Sequence, residues 1–341
     1  MILFDGIIFN LQRSGGISIL FNEIFSRLPV NSYELIGFQH TPPPTVAIKN
    51  YFFQAPRLME RYRPALVDHK YDIFHSTYYR LPAVRHGKVV TTVHDYTYEH
   101  FASGFRRAVH SFQKNKAIAG SDRIICVSES TRRDLLEFSG ASYKDRAVVI
   151  YNGVSSDYCY IPEIDVISQV IFVGARYRYK NFKSVVYAIS GMQNINIVCV
   201  GGGTFTGDEI KLMEKHIYGR YRYAGYLTNA ELNREYNRSL CLIYPSLYEG
   251  FGIPILEAMQ AGCPVVAVNC SSIPEIAGDA AILMDTGHPD ELRQAIETIM
   301  ITQEREELVS KGLIQASKFS WDKTYKQTMD IYEGLLGKVI S

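Results

Sequence analysis

The chain has 341 residues, 47% of them hydrophobic and 21% charged, enough for two substantial cores and too apolar for disorder over most of its length. Thirty-six Lys plus Arg against 35 Asp plus Glu leave a net charge of +1, which argues against a generic polyanion binder. The average hides a division: residues 1–155 carry 19 basic and 13 acidic side chains, residues 156–341 carry 17 and 22, and seven of the nine His lie in the first half. The halves are expected to face different partners.

Six cysteines (Cys126, Cys159, Cys199, Cys241, Cys263, Cys270) form no CxxC pair, and several sit in apolar runs. Buried thiols in a reducing cytoplasm fit this better than a disulfide framework. The N-terminus, MILFDGIIFNLQRSGG, has neither a basic n-region nor a small-residue cleavage site, and no apolar run reaches ~18 residues. A soluble cytoplasmic protein without a cleaved signal is expected.

In chain order, an apolar first strand leads to Gly15-Gly16 and then to a helical pattern from Ile17 to Phe25. Three prolines place Gln39–Thr45 in a surface connection. Two basic, aromatic-rich stretches follow, Lys49–Arg63 and Phe101–Lys116. Each reads either as a basic amphipathic helix lying on an anionic membrane surface or as a packed helix with a solvated cationic face. Phe101, Phe105, Val109 and Phe112 recur at helical spacing, a pattern more typical of a core stripe than of an anchor.

Short β-branched runs recur at Val89–Asp95, Arg123–Glu129, Val148–Tyr151, Val170–Gly174, Ile195–Gly201, Leu240–Tyr244, Pro264–Val268 and Ala280–Met284. Their hydrophobicity is continuous rather than alternating, so the strands are covered on both faces and the sheets are parallel and helix-flanked. Between Asn152 and Gln169 the alternation breaks, which divides the chain into two α/β domains. The boundaries expected are 1–155 and 168–318, with 319–341 a last helix crossing back to the first domain. Gly15-Gly16, Gly201-Gly202-Gly203 and Gly250-Phe251-Gly252 fall where strands hand over to helices, on the side where open α/β sheets bind ligands.

The most informative segment runs from Tyr244 to Ala267 through one βαβ unit, with Glu249 at its turn and Glu257 inside its helix. A carboxylate at the turn can accept from a ligand's hydroxyls while free N–H groups at the helix start face an anion, which suits a ligand with both hydroxyls and phosphate. A helix-terminal carboxylate favoured by the dipole is the plainer reading of Glu249. Glu257 lies in an apolar stretch where an unpaired charge is costly.

Here the sequence resembles the retaining family 4 glycosyltransferases of the GT-B fold, whose E-x7-E element is matched by Glu249 and Glu257. The wording EGFGIPILEAM…GCPVVAVNCSSIPEIAGDAAIL is similar to the mannosyltransferase B-like enzymes of O-antigen and capsule assembly. Gly15-Gly16, Thr92-Val-His94-Asp95, Val127-Ser128, Asn152-Gly153, Lys180-Asn181 and Phe319-Ser-Trp321 extend the likeness over nearly the whole chain.

The resemblance implies two Rossmann-like domains facing a central cleft, with Glu249 on the donor sugar and Glu257 on the nucleotide ribose. It implies a diphosphate clamp from Lys180 and an arginine. Relatives carry that arginine directly after the glycine, whereas this chain reads Gly174-Ala175-Arg176-Tyr-Arg178-Tyr-Lys180, so Arg176 or Arg178 could serve. Gly15, Gly16, Gly250, Phe251 and Gly252 would approach phosphate or sugar, Leu227 would meet the base, and His94 would contact the sugar or the developing positive charge. A satisfied strand-end histidine is the other reading of His94, and Asp95 reads equally as a turn residue.

Gly201–Gly207 fails G-x-G-x-x-G at its last position, against a dinucleotide site. There is no Asp-x-Asp and no clustered His/Cys set, so neither a metal nor another cofactor is expected. The expected activity is transfer of a hexose, with mannose favoured, from a nucleoside diphosphate sugar to a glycan or lipid-linked glycan of surface polysaccharide or lipopolysaccharide assembly. A sugar-nucleotide epimerase of the same fold, or a non-catalytic glycan- or nucleotide-binding subunit, is the alternative.

Overall fold

The computed structural model describes residues 1–12, 15–38 and 50–338. The proline-rich connection Gln39–Thr45 and the Lys49 end of the first basic stretch lie outside the described residues. The chain divides into two compact units, Met1–Gly153 with the segment from Trp321 onward, and Val154–Ser320.

The first unit holds seven parallel strands: β1 (Ile2–Asp5), β2 (Tyr33–Phe38), β3 (Tyr51–Gln54), β4 (Ile73–Ser76), β5 (Lys88–Val93), β6 (Arg123–Cys126) and β7 (Ala147–Val149), in the order β3-β2-β1-β4-β5-β6-β7. The interior strands β1 and β4 are buried along their whole length, the polar Asp5, His75 and Ser76 included. β3 is an edge strand with Phe53 60% exposed, so part of the first basic stretch is a strand, followed by a single 3-10 turn at Glu60–Tyr62, rather than a helix. A short helix, Ile7–Leu11, intervenes between β1 and Gly15. The final helix, Trp321–Leu336, packs on the helix Gly16–Arg27; Arg27 pairs with Asp322 at 2.6 Å, and the Thr324 hydroxyl donates to the Tyr151 carbonyl at 2.7 Å.

The second unit holds six parallel strands: β8 (Gln169–Val173), β9 (Asn196–Val200), β10 (Tyr221–Gly225), β11 (Cys241–Tyr244), β12 (Val265–Val268) and β13 (Ala281–Met284), in the order β10-β9-β8-β11-β12-β13. The strand order reverses at β8, between β9 and β11, so the carboxyl ends of β8 and β11 flank a topological switch point. Val170, Phe172, Ile197, Ile243 and Val266 pack against Val185 and Ile189 of the helix Phe182–Ser190 and against Leu292 and Ile296 of the helix Pro289–Ile299. Helices thus seal the sheet and leave the strand ends for chemistry.

The helix Gly104–Gly120 reverses one expectation. Phe101, Phe105 and Phe112 are 48%, 84% and 72% exposed, so the aromatic stripe is not core. Its buried face carries His110, Gln113, Lys114, Ala117 and Ile118 instead. The cause is polar: Lys114 donates to the Glu99 carboxylate at 2.8 Å and to the Asp95 carbonyl at 2.7 Å, and that pairing fixes the rotation of the helix.

Candidate active site

At the carboxyl end of β8 the chain turns through Gly174 into a 3-10 turn, Arg178–Lys180, and at the end of β11 it runs through residues 245–252 into the helix Ile253–Gln260. The Leu247 N–H donates to the Tyr179 carbonyl at 2.8 Å and joins the two loops. Lys180 Nζ thereby meets Glu249 Oε1 at 2.5 Å, with the side chains 15% and 11% exposed. Lys180 also lies 5.4 Å from the ring centroids of Tyr179 and Tyr244. Burial pushes the Tyr244 phenol well above its ordinary pKa, and the Glu249 charge adds to this, so Tyr244 stays a neutral donor. Two residues assigned separate roles from the sequence are an ion pair.

Gly252 caps the helix Ile253–Gln260 with φ +105°, a left-handed conformation that favours glycine, and Pro254 sits in the first turn where no N–H is needed. Phe251 is buried with its ring 6.2 Å from that of Phe319, so its side chain serves packing. Gly250 lies beside it, also buried. Glu257 is 8% exposed on the same helix. Burial raises its pKa to about 7, and the hydrogen bond that the Tyr236 hydroxyl donates to its Oε2 at 3.0 Å opposes the rise. The cost of a carboxyl in an apolar stretch is therefore partly met by a buried tyrosine.

Arg176 does not stand free for a diphosphate. Its guanidinium pairs with Glu209 at 3.0 Å, donates to the carbonyls of Gly201, Gly203 and Thr204, and lies 4.8 Å from the Phe205 ring centroid, with its side chain 3% exposed. The guanidinium fork is spent on the glycine loop. Arg178, on the same turn as Lys180, is exposed. Gly201, Gly202 and Gly203 have φ of +68°, +69° and +81°, and a Cβ at Gly202 would lie 2.2 Å from the Gly174 carbonyl oxygen. That run serves close approach of two strand-end loops. Leu227 is half-buried between the end of β10 and the Thr228 cap of the next helix.

In the first unit, His94 follows β5 and is buried, its Nε2 without a hydrogen-bond partner among the described residues. Desolvation lowers its pKa well below the ordinary value, despite the neighbouring Asp95 charge, so the imidazole is neutral near pH 7. Burial alone would raise Asp95; Lys114 and the Thr97 N–H outweigh it and keep Asp95 ionised. Gly15 caps the helix Gly16–Arg27, its backbone extended at φ 169°. Sequence reasoning missed the buried triad in which Arg80 reaches Asp5 at 3.1 Å and Glu60 at 2.7 Å, and it missed the Lys114–Glu99 pair. No spacing rule joins residues 75 positions apart. Among the described residues no helix is long and apolar enough to cross a membrane.

Comparison with known proteins bears on both units. The family described as "Glycosyl transferases group 1" matches residues 168–313, and "Glycosyltransferase Family 4" matches residues 24–158. The chain is 29% identical over 310 residues, 82% of its length and 80% of the relative's, to O-antigen chain mannosyltransferase B of Escherichia coli. Among solved structures it superposes on sucrose-phosphate synthase from Thermosynechococcus elongatus with TM-score 0.78 at 15% identity, covering 98% and 99% of the two chains. It also matches HepE of Anabaena, solved in complex with UDP and glucose, with TM-score 0.76 at 17% identity and the same coverage. With two parallel-sheet units of GT-B type and both halves matched by glycosyltransferase families, the chain belongs to the group 1 and family 4 glycosyltransferases.

Proposed function

We propose that the protein is a retaining, metal-independent hexosyltransferase that takes its sugar from a nucleoside diphosphate donor, with GDP-mannose the favoured candidate. The acceptor is a hydroxyl of a surface polysaccharide or lipopolysaccharide intermediate. The observation that carries this reading is the Lys180–Glu249 pair at the switch point of the second sheet, beside the start of the helix Ile253–Gln260. Glu249 accepts from donor-sugar hydroxyls, Lys180 and Arg178 hold the diphosphate, and Glu257 takes the ribose hydroxyls in place of its Tyr236 donor. The 29% identity to an O-antigen mannosyltransferase supports mannose.

Chemistry at the anomeric carbon breaks its bond to the diphosphate oxygen as the acceptor oxygen bonds on the same face. The acceptor proton passes to the departing phosphate, and the products are glycosylated acceptor and nucleoside diphosphate. Lys180 stabilises the charge that grows on that phosphate without any change in its own protonation. Screening sugar nucleotides for thermal stabilisation identifies the donor, since a ligand at 100 times its dissociation constant adds about 2.7 kcal/mol. Product stereochemistry by NMR and turnover in EDTA test the other elements; an inverted linkage or loss of activity in chelator overturns them.

The same reading puts the enzyme at the cytoplasmic membrane face, where a lipid-linked acceptor would lie. Exposed Phe105 and Phe112 alternate with exposed Arg106, Arg107 and Lys116 on one helix, which supports apolar insertion beside anionic headgroups. Leu58 and Met59 are 83% and 64% exposed on a loop that the Gln113 amide ties to the same helix by donating to the Arg61 carbonyl at 2.6 Å. Flotation with vesicles containing phosphatidylglycerol tests it; no binding with or without anionic lipid overturns it.

A further inference from the structure

We propose that Ser271 and Ser272 are positioning residues for Glu249, fixing its peptide from the loop that follows β12. The inference rests on the reading of Glu249 as the donor-sugar contact. Residues 245–252 belong to no strand or helix, so their backbone groups need partners from elsewhere. The Glu249 N–H donates to Ser271 Oγ at 2.8 Å. The Ser272 hydroxyl lies 3.0 Å from the Glu249 carbonyl and 2.9 Å from that of Phe251, so its single proton is shared between the two. Both polar groups of the residue carrying the carboxylate are thus held by one dipeptide, and its side chain is closed off on the other side by Lys180. The preceding Cys270 adds a thiol contact to the Ser246 carbonyl at 3.2 Å.

The backbone supplies a second, independent observation. Ser271 has φ +49°, in the left-handed region that side-chain-bearing residues rarely adopt and glycine adopts freely. A strained residue at a strand end invites a functional explanation, and the hydrogen bond its hydroxyl accepts is the one from Glu249. Ser272, fully buried, opens the helix Ile273–Ala277 from an ordinary right-handed conformation. Same-face displacement needs the carboxylate, sugar and phosphate in register to well under an ångström, and backbone slack at Glu249 converts directly into misplacement. The Ser-Ser pair therefore acts on the sugar half of the site through Glu249 and leaves the nucleotide half alone.

The test uses the full chain and the donor chosen by the thermal screen. Ser271→Gly removes the hydroxyl and relieves the strain, so its Tm should equal or exceed that of the wild type. Its kcat should nevertheless fall about tenfold, while affinity for GDP and UDP by calorimetry stays within twofold. Ser271→Ala, which keeps the strained φ and lacks the hydroxyl, should match the glycine variant in kcat and fall below it in Tm. Combining Ser271→Gly with Glu249→Gln should cost no more activity than Glu249→Gln alone. An unchanged kcat in both Ser271 variants and in Ser272→Ala, with Glu249→Gln inactive, overturns the positioning role and leaves the Glu249 reading intact. Losses that track Tm and nucleotide affinity together overturn it as well. Full activity of Glu249→Gln overturns the underlying reading instead.

Discussion

Replacing Lys180 by methionine is the sharpest probe of the site, because it deletes one charge and keeps most of the side-chain volume. The ammonium lies 2.5 Å from a Glu249 oxygen and is 15% exposed, so it acts in a medium far less polarisable than water. At an effective dielectric near 20, a unit cation about 4 Å from a unit negative charge contributes roughly 4 kcal/mol. The diphosphate of the bound donor is already anionic, and only the additional charge develops as its bond to the sugar breaks, so it is that increment of the interaction that belongs to the transition state. Repulsion from Glu249, now unpaired, adds to the loss, while water entering the space offsets part of it. The expected fall in kcat at saturating donor is therefore roughly 10²- to 10³-fold. Stability should drop too, by about 2 kcal/mol, since a largely buried carboxylate loses its partner. Release of nucleoside diphosphate, followed by a coupled assay well below the variant's Tm, separates the two effects. Lys180→Arg, which keeps the charge in a bulkier fork, should recover part of the rate. A Lys180→Met variant within threefold of the wild-type kcat would refute the electrostatic role.

Arg176→Ala should lower stability by about 2–4 kcal/mol, because it strips an ion pair and three carbonyl contacts from the glycine loop. Arg178→Ala should stay within about 0.5 kcal/mol in stability and raise the donor KM about tenfold; chemical denaturation and steady-state kinetics check the pair, and the reverse pattern would return the clamp to Arg176. Glu257, raised to about 7, binds more protons folded than unfolded between about pH 4.5 and 7, so its contribution to stability falls as pH rises through that window, by about 3 kcal/mol, and is flat above it. Glu257→Gln should remove that slope in urea titrations and be at least as stable at pH 8, yet bind nucleoside diphosphate about tenfold more weakly; unchanged nucleotide affinity would contradict the ribose assignment. Phe105→Glu with Phe112→Glu should abolish vesicle flotation with a stability change within about 0.5 kcal/mol, both rings being exposed already.

Much of the architecture was legible because it follows from local composition. Continuous β-branched runs such as Val170–Val173 and Val265–Val268 read as buried parallel strands, and the interruption near Asn152 marks where one such series ends. Glu249 and Lys180 were legible individually, since a carboxylate at a glycine turn and a lysine after a strand are visible in one dimension. Their pairing was not: 69 residues separate them, and only the adjacency of β8 and β11 brings their loops together. The same holds for Ser271 and Ser272, which meet Glu249 because β12 lies beside β11.

Elsewhere, tertiary context directed side chains that the sequence left open. Arg176 and Arg178 both read as candidates for phosphate, and the fold engages the Arg176 guanidinium with Glu209 and the carbonyls of Gly201, Gly203 and Thr204. The Phe105–Phe112 stripe had core periodicity, but a buried Lys114 rotated its helix outward, because leaving that ammonium unpaired costs more than exposing rings to water. The amino-acid order by itself determined two parallel α/β units and the residue types that can bind a hydroxyl-rich, phosphorylated ligand, since periodicity and turn chemistry act within a few residues. Which cation pairs with which carboxylate, and which backbone each hydroxyl holds, were decided only in three dimensions, because ion pairs and hydrogen bonds are made between neighbours in space.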